Sequence, residues 1–401
     1  MNKSHILYYF IFFIILLLIF EFFSYILIYQ TSFLDRYFFH KHHFISEADF
    51  RDYKAERNKL TGWPTRRFEK QLSFEGSRKS PANNMIIKKE ACFSIYGDSY
   101  AFDSEVNNDQ AWPNKLAEIM NCKIHNFGIP GFGIDQAYLR FKEKNPKKLD
   151  TILTFIEGDY RRARTRMYSL QNGEGIVIGL TKPMFELSQK NKIILKKNPI
   201  NSYEEYLNLS DKLHFKKIFS NDLFIPDQDL WSMSYTSFPN SLEIILLSIK
   251  IFKRQISYSA YLPFYPSYSF LKSINLNQFM TNFATPPPSY RDETIKLNEA
   301  IFESFIADCN KLNIKCYIAP LPLIMDFDNS GESKIIKSLK SNEYLRDKLL
   351  LINKGCMTQE FKKVGIKKSN ISEQLAPGRH YNYITSNIIA KCLAKKIQNK
   401  S

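Results

Sequence analysis

A chain of 401 residues, 44% hydrophobic and 24% charged, holds enough apolar residues to bury a core, which excludes a disordered or low-complexity protein. Its formal charge of +16 invites nucleic acid, anionic membrane or acidic polymer as a partner. The Lys and Arg are scattered, with no zinc-finger spacing, RNP motif or helix-turn-helix, so no nucleic-acid partner is expected; membrane surface or acidic glycan fits better, and Lys kept only for solubility is the plainest reading.

In chain order, the run Ile6 to Tyr29 is apolar apart from Glu21 and is long enough to cross a bilayer as a helix. It ends in Tyr25–Ile26–Leu27–Ile28–Tyr29–Gln30 without a small-residue cleavage pattern, which predicts an uncleaved anchor over residues 1–30. Lys3 before it and Arg36 and Lys41 after it leave orientation undecided by charge. The long C-terminal portion favours a domain outside the cytoplasm, periplasmic in a Gram-negative cell. Residues 31–90 are polar, aromatic and irregular, with turn signals at Gly62–Trp63–Pro64 and Ser80–Pro81–Ala82, and read as a stalk that packs on the domain.

From residue 91 the pattern becomes regular. Cys92–Phe93–Ser94–Ile95–Tyr96 predicts a buried strand stopped by Gly97. Residues 109–121 predict a helix with Trp112, Leu116, Ile119 and Met120 on one face, 123–127 a second strand, 134–145 a helix closed by Pro146, and 150–156 a third strand. Strands alternating with helices predict an α/β domain, a parallel sheet covered by helices. Residues 170–290 break the rhythm at Gly173–Glu174–Gly175, Pro183 and Pro286–Pro287–Pro288, and read as a large insertion that caps a site or touches the membrane. Its apolar stretch 241–252 is too short to span. The rhythm resumes with a helix over 292–312, a strand over 316–320 and a last helix carrying Ile384, Ile388, Ile389, Cys392, Leu393 and Ile397. The six cysteines (Cys92, Cys122, Cys309, Cys316, Cys356, Cys392) permit disulfides outside the cytoplasm, with Cys92 and Cys122 starting neighbouring strands; six small buried hydrophobes are the alternative.

Three stretches carry chemistry. Gly97–Asp98–Ser99–Tyr100 follows the first strand, where open α/β sheets place their sites, so the Ser99 hydroxyl would sit near a helix start and its N–H could face an oxyanion. Asn126–Phe127–Gly128–Ile129–Pro130–Gly131–Phe132–Gly133 follows the second strand; glycine there lets a backbone N–H approach a substrate oxygen, although a plain turn reads as well. Gly378–Arg379–His380–Tyr381–Asn382 leads into the last helix and brings a histidine to the strand ends, although a lone histidine is more often surface or core. Neither a metal site nor a cofactor loop is expected: there is no Cys-x-x-Cys, no paired His at helical spacing and no phosphate-binding loop.

Together these stretches resemble the SGNH/GDSL hydrolases, over roughly 91–169 and 290–397. Tyr96–Gly97–Asp98–Ser99–Tyr100–Ala101–Phe102, Glu105–Val106, Trp112–Pro113, Asn126–Phe127–Gly128, Asp135–Gln136–Ala137–Tyr138–Leu139–Arg140, Asp159–Tyr160–Arg161–Arg162 and Lys182–Pro183–Met184–Phe185 look like members encoded among surface-polysaccharide genes. The resemblance implies a three-layer α/β/α, flavodoxin-like fold over residues 91–401. It implies Ser99 as nucleophile, His380 as base, and the Ser99 and Gly131 N–H groups as an oxyanion hole, with Asp98, Asn126 and Asp159 as supporting candidates. It also implies an acylated cell-envelope glycan as substrate, for ester hydrolysis or O-acyl transfer. Two positions depart from the family. Glu157–Gly158–Asp159 stands where an Asn donor is expected, and Asp159 is expected to pair with Arg161 or Arg162. Pro377 stands three residues before His380, where the orienting Asp belongs, so the acid is missing or comes from elsewhere, such as Glu373. These departures leave room for a different reading, a membrane-tethered glycan-binding or assembly protein without catalysis. A lipase acting on bilayer lipids is a weaker option, since Gly-x-Ser-x-Gly does not surround Ser99.

Overall fold

The computed structural model describes residues 3–31, 33–34, 37–39, 44–63, 72–73, 75–86, 90–144, 148–167, 181–224, 230–261, 284–323, 332–371, 373–375 and 380–400. Its longer elements are helix α1 (Lys3–Tyr29), strand β1 (Ala91–Tyr96), helix α2 (Trp112–Met120), strand β2 (Lys123–Asn126), helix α3 (Ile134–Lys144), strand β3 (Asp150–Phe155), helix α4 (Asn240–Tyr261), helix α5 (Asp292–Leu312), strand β4 (Cys316–Pro320) and helix α6 (Tyr383–Gln398). The sequence turns at Gly173–Glu174–Gly175 and the Pro377 position lie outside the described residues.

The chain forms two compact units. One gathers residues 53–164, 182–198 and 288–401, and the other residues 1–52, 165–181 and 199–287. Of the segment 31–90, expected as a stalk that packs on the domain, residues 53–90 group with the sheet, and residues 182–198, inside the insertion expected over 170–290, group with it too and hold an antiparallel hairpin of Met184–Leu187 and Ile193–Lys196.

In the sheet unit the strands are parallel in the order β2-β1-β3-β4. The segment at Leu349 adds a parallel bridge beyond β4, with Ile318 N–H donating to Lys348 O and Leu350 N–H to Ile318 O. The period of two along the strands sends alternate side chains to opposite faces. Phe93, Ile95, Ile152, Tyr317 and Ala319 join one core with Trp112 and Leu116 of α2 and Ile388, Ile389 and Leu393 of α6. Tyr96, Leu153, Phe155 and Ile318 join a second core with Ile134 and Phe141 of α3 and Phe302 and Phe305 of α5. Helices α2 and α5 stop where Asn121 (φ 50°) and Asn313 (φ 55°) take the left-handed conformation that Asn tolerates. Disulfides Cys92–Cys122, Cys309–Cys316 and Cys356–Cys392 use all six cysteines.

Residues 53–90 join this unit through polar stitches that no periodicity announces. The Asn83 side chain donates to Ile124 O (2.7 Å) and accepts from Ile124 N–H (2.9 Å), acting as one more partner at the β2 edge. Gln136 Nε2 donates to Thr61 O and Trp63 O (2.8 and 3.0 Å).

The second unit holds α1, which is long and apolar enough to cross a membrane, and α4, which packs along it. Short helices Glu47–Glu56, Tyr203–Leu207 and Lys212–Ile218 surround an aromatic cluster of Phe39, Phe44, Phe50, Tyr206 and Phe215. A buried Arg166–Asp222 pair (2.8 Å) ties residues 56 apart in sequence.

Candidate active site

All of the expected site residues fall in the sheet unit, at the carboxyl ends of its strands. The chain leaves β1 at Gly97, where an added Cβ would lie within 3 Å of the Thr154 side chain and of Ala101 Cβ, so only glycine passes. It then enters a one-turn helix, Ser99–Phe102. The strand order changes direction at β1, with β2 on one side and β3 on the other, and ligands of open α/β sheets bind at such a switch.

Asp98 caps this turn. Its carboxylate accepts from the N–H of Tyr100 (2.9 Å) and of Ala101 (3.4 Å), the second and third of the helix. The first N–H, that of Ser99, is left without a hydrogen bond among the described residues. The glycine turn after β2 lies against the same turn: Ile129 N–H donates to Gly97 O (3.0 Å). Asn126 fixes the two together, donating to Ala101 O (2.9 Å) and accepting from Gly128 N–H (3.0 Å). Asn126 is therefore a scaffold group whose amide is committed on both sides. Gly131 has φ +85°, the left-handed region that favours glycine, and its carbonyl accepts from Trp63 Nε1 (3.1 Å). Its N–H, like that of Ser99, has no partner among the described residues.

His380 arrives from the other end of the chain, two residues before Asn382, whose side chain caps α6 by accepting from Thr385 N–H. The next residue, Tyr381, is fully buried and donates to Pro322 O (2.7 Å). The Tyr100 ring lies 4.8 Å from the imidazole and 5.0 Å from the Tyr381 ring. The outcome is that Ser99 and His380, 281 residues apart, meet: the Ser99 hydroxyl lies 2.8 Å from His380 Nε2. On the far side of the ring, Nδ1 lies 3.2 Å from Glu105 Oε1. A carboxylate can only accept, so Nδ1 carries the proton and Nε2 accepts from Ser99, the tautomer a general base needs. Ser99 is buried while the His380 and Glu105 side chains remain about a quarter exposed.

The acid beside the histidine is thus Glu105, and neither Glu373 nor the Pro377 position supplies it. Glu105 sits on the turn after the Ser99 helix, and the buried Arg78 clamps that turn. Its guanidinium donates to the carbonyls of Phe102, Asp103 (2.6 Å) and Val106 and to Asn108 Oδ1 (2.9 Å). Within the turn, Asp103 is buried in the left-handed conformation and accepts from Trp112 N–H (2.8 Å). Burial pushes its carboxyl up to about 7, against the smaller opposing pull of its hydrogen bonds and of Arg78. Sequence reasoning missed both Glu105 and Arg78. Glu105 stood in one of the stretches that carry the resemblance, six residues after Ser99, but with no role attached, and Arg78 gave no signal.

At the end of β3, Asp159 accepts from Ile156 N–H (3.0 Å) and pairs with Arg162 (2.6 Å), so of the two expected arginines it is Arg162 that binds it. Arg162 also reaches Asp98 (3.4 Å) and donates to Phe132 O (3.0 Å). Burial first, and the neighbouring Asp98 charge second, raise the Asp159 carboxyl well above the usual carboxylate range. One guanidinium therefore joins the cap of the Ser99 helix, the third strand end and the glycine turn. Behind that turn, Lys182 forms a fully buried ion pair with Asp135 at the start of α3. Among the described residues no group of His, Cys, Asp and Glu could hold a metal ion.

No protein-family model matches this sequence, and no curated protein matches it either.

Proposed function

We propose that the chain is a membrane-anchored serine esterase or O-acyltransferase with an SGNH-like, three-layer α/β/α catalytic domain. The observation that carries this is the relay from Ser99 Oγ through His380 to Glu105, with contacts of 2.8 and 3.2 Å. Such a relay suits acyl transfer. His380 takes the Ser99 proton as Oγ attacks an ester carbonyl, and Glu105 steadies the imidazolium that forms. The N–H groups of Ser99 and Gly131 are the donors for the oxyanion. His380 then protonates the leaving alkoxide. Water or an acceptor hydroxyl attacks the acyl-enzyme with His380 again as base, which separates hydrolysis from transfer. An acyl ester of a cell-envelope glycan as substrate, acetyl first, rests on the resemblance of the strand-end motifs to enzymes of surface polysaccharides. Three disulfides and α1 support a domain outside the cytoplasm, tethered at its N-terminus.

A non-catalytic glycan-binding role is favoured by one observation: Asp159, committed to Arg162, leaves no side-chain amide at the third strand end. Treatment of the full chain in detergent with a fluorophosphonate, followed by mapping of the adduct, separates the two. The esterase reading expects an adduct on Ser99 that disappears in His380→Ala. Folded protein without an adduct would leave the binding reading.

A further inference from the structure

Helix α4 carries two apolar faces where a soluble surface helix carries one. Its inner face belongs to a small core in which Leu247, Ile244 and Ile251 pack with Ile28, Leu34 and Phe38. Its outer face exposes Leu242, Ile245, Leu246, Ile249 and Phe252, each about half exposed or more. Phe238, just before the helix, is 84% exposed.

The start of α4 is fixed to α1 by Glu21, the one charged group that interrupts the apolar run. Its Oε1 accepts from Asn240 N–H (2.7 Å) and from the Asn240 side chain (2.8 Å), and its Oε2 from Ser241 N–H (2.8 Å). A carboxylate on a membrane-spanning helix is costly unless hydrogen-bonded, and the first N–H groups of a helix are otherwise orphaned. Each feature satisfies the other. Glu21, Ser24 and Ile28 form the face of α1 that α4 covers, and Asn240 to Leu247 run alongside Glu21 to Ile28 in the same direction.

This contact sets a depth. Glu21 lies 15 residues beyond Ile6, about 22 Å along the helix axis, whereas the hydrocarbon of a bilayer is about 30 Å thick. The first turns of α4 therefore begin inside the distal hydrocarbon if α1 spans. The charges of α4 follow the same ruler. Before Lys250 it holds only Glu243, which accepts from Ser237 Oγ, and Lys250, Lys253 and Arg254 come about 15 Å further along, at headgroup level.

We propose that α4 is a second membrane-embedded helix, with Leu242, Ile245, Leu246, Ile249 and Phe252 in the lipid of the distal leaflet beside α1. This rests on the reading of α1 as a membrane anchor. The occupant is lipid because the outer face of α4 continues the exposed apolar surface of α1. Phe238 and Asn240 also line one groove with Leu18, Phe22 and Tyr25.

The test is nitroxide labelling of the full chain in nanodiscs of phosphatidylethanolamine and phosphatidylglycerol. Single labels go at Ile245→Cys and Ile249→Cys, at Leu16→Cys within α1, and at Tyr344→Cys, an exposed residue of the sheet unit, as the aqueous reference. Lipid exposure gives frequent collisions with oxygen and few with a water-soluble nickel chelate. The α4 labels are expected to match Leu16→Cys, with nickel collisions about tenfold rarer than at Tyr344→Cys. Nickel access equal to Tyr344→Cys overturns the proposal by placing the face in water. Low access to both reagents overturns it in favour of cover by a second copy or another protein. Nickel access at Leu16→Cys itself would instead remove the anchor reading, a distinguishable failure.

Discussion

In the proposed esterase Glu105 sets the tautomer of His380 and steadies its positive charge, so its loss should act on the chemical step. Glu105→Gln keeps the shape but removes the charge, and should lower kcat for a small ester by roughly 100-fold with KM nearly unchanged. Ser99→Ala should lower it by about 10⁴-fold or more. Equal kcat in wild type and Glu105→Gln would remove Glu105 from the relay. Asp103 makes a second prediction, on stability. Its carboxyl is raised in the fold to about 7 from an ordinary 3.8, so the folded state binds the proton more tightly than the unfolded chain. Stability conferred at low pH is then lost as pH rises from about 4 through about 7, by a few kcal/mol at most. Asp103→Asn, which can still accept from Trp112 N–H, should gain on wild type across that window in urea denaturation; a constant difference from pH 4 to 8 contradicts the assignment. At this scale the sequence was half legible. Ser99 and His380 stood out because one ends a buried strand and the other precedes a helix. Glu105 stood on a turn and Arg78 on an isolated bridge, where pairing is decided by three-dimensional contacts.

At the scale of elements, the turn carrying Glu105 has no regular structure of its own, and Arg78 is what holds it. Four of its acceptors lie on Phe102, Asp103, Val106 and Asn108, so one buried side chain fixes both sides of Glu105. Arg78→Met keeps the apolar stem but orphans these acceptors. It should cost roughly 3 kcal/mol of stability and lower kcat about tenfold at temperatures where the variant is still folded. A purely structural role would lower stability and leave kcat of the folded protein unchanged, so the two readouts decide. The strands and long helices were readable because β1, β3, α5 and α6 bury strong periodic patterns. Residues 53–90 were not. Asn83 completes a strand edge at Ile124, and Gln136 holds Thr61 and Trp63; such polar stitches between distant segments leave no period in the sequence. The apolar stretch 241–252 was seen, but its continuation into the 22-residue helix α4 was not, because Lys250, Lys253 and Arg254 interrupt its apolar face.

At the scale of the molecule, helix α1, the anchor of the proposed function, is also a structural part of its unit. Removing residues 1–30 deletes Glu21, which satisfies the first N–H groups of α4, and Ile28, which its inner face covers. The sheet unit has its own two cores, three disulfides and every residue of the relay. The consequences should therefore separate. A chain of residues 31–401 should hydrolyse a small soluble ester within about twofold of the full chain, since transition-state contacts are intact. Its α4 should lose order, because an uncapped helix start and an uncovered apolar face are where local unfolding begins. Trypsin offers the readout, since Lys250, Lys253 and Arg254 all lie on α4. In the full chain held in detergent these sites should resist cleavage, and in the shortened chain they should be cut first. Equal protection in both chains would show that α4 is held without α1. Loss of activity together with protection would place α1 in the catalytic machinery, against this prediction.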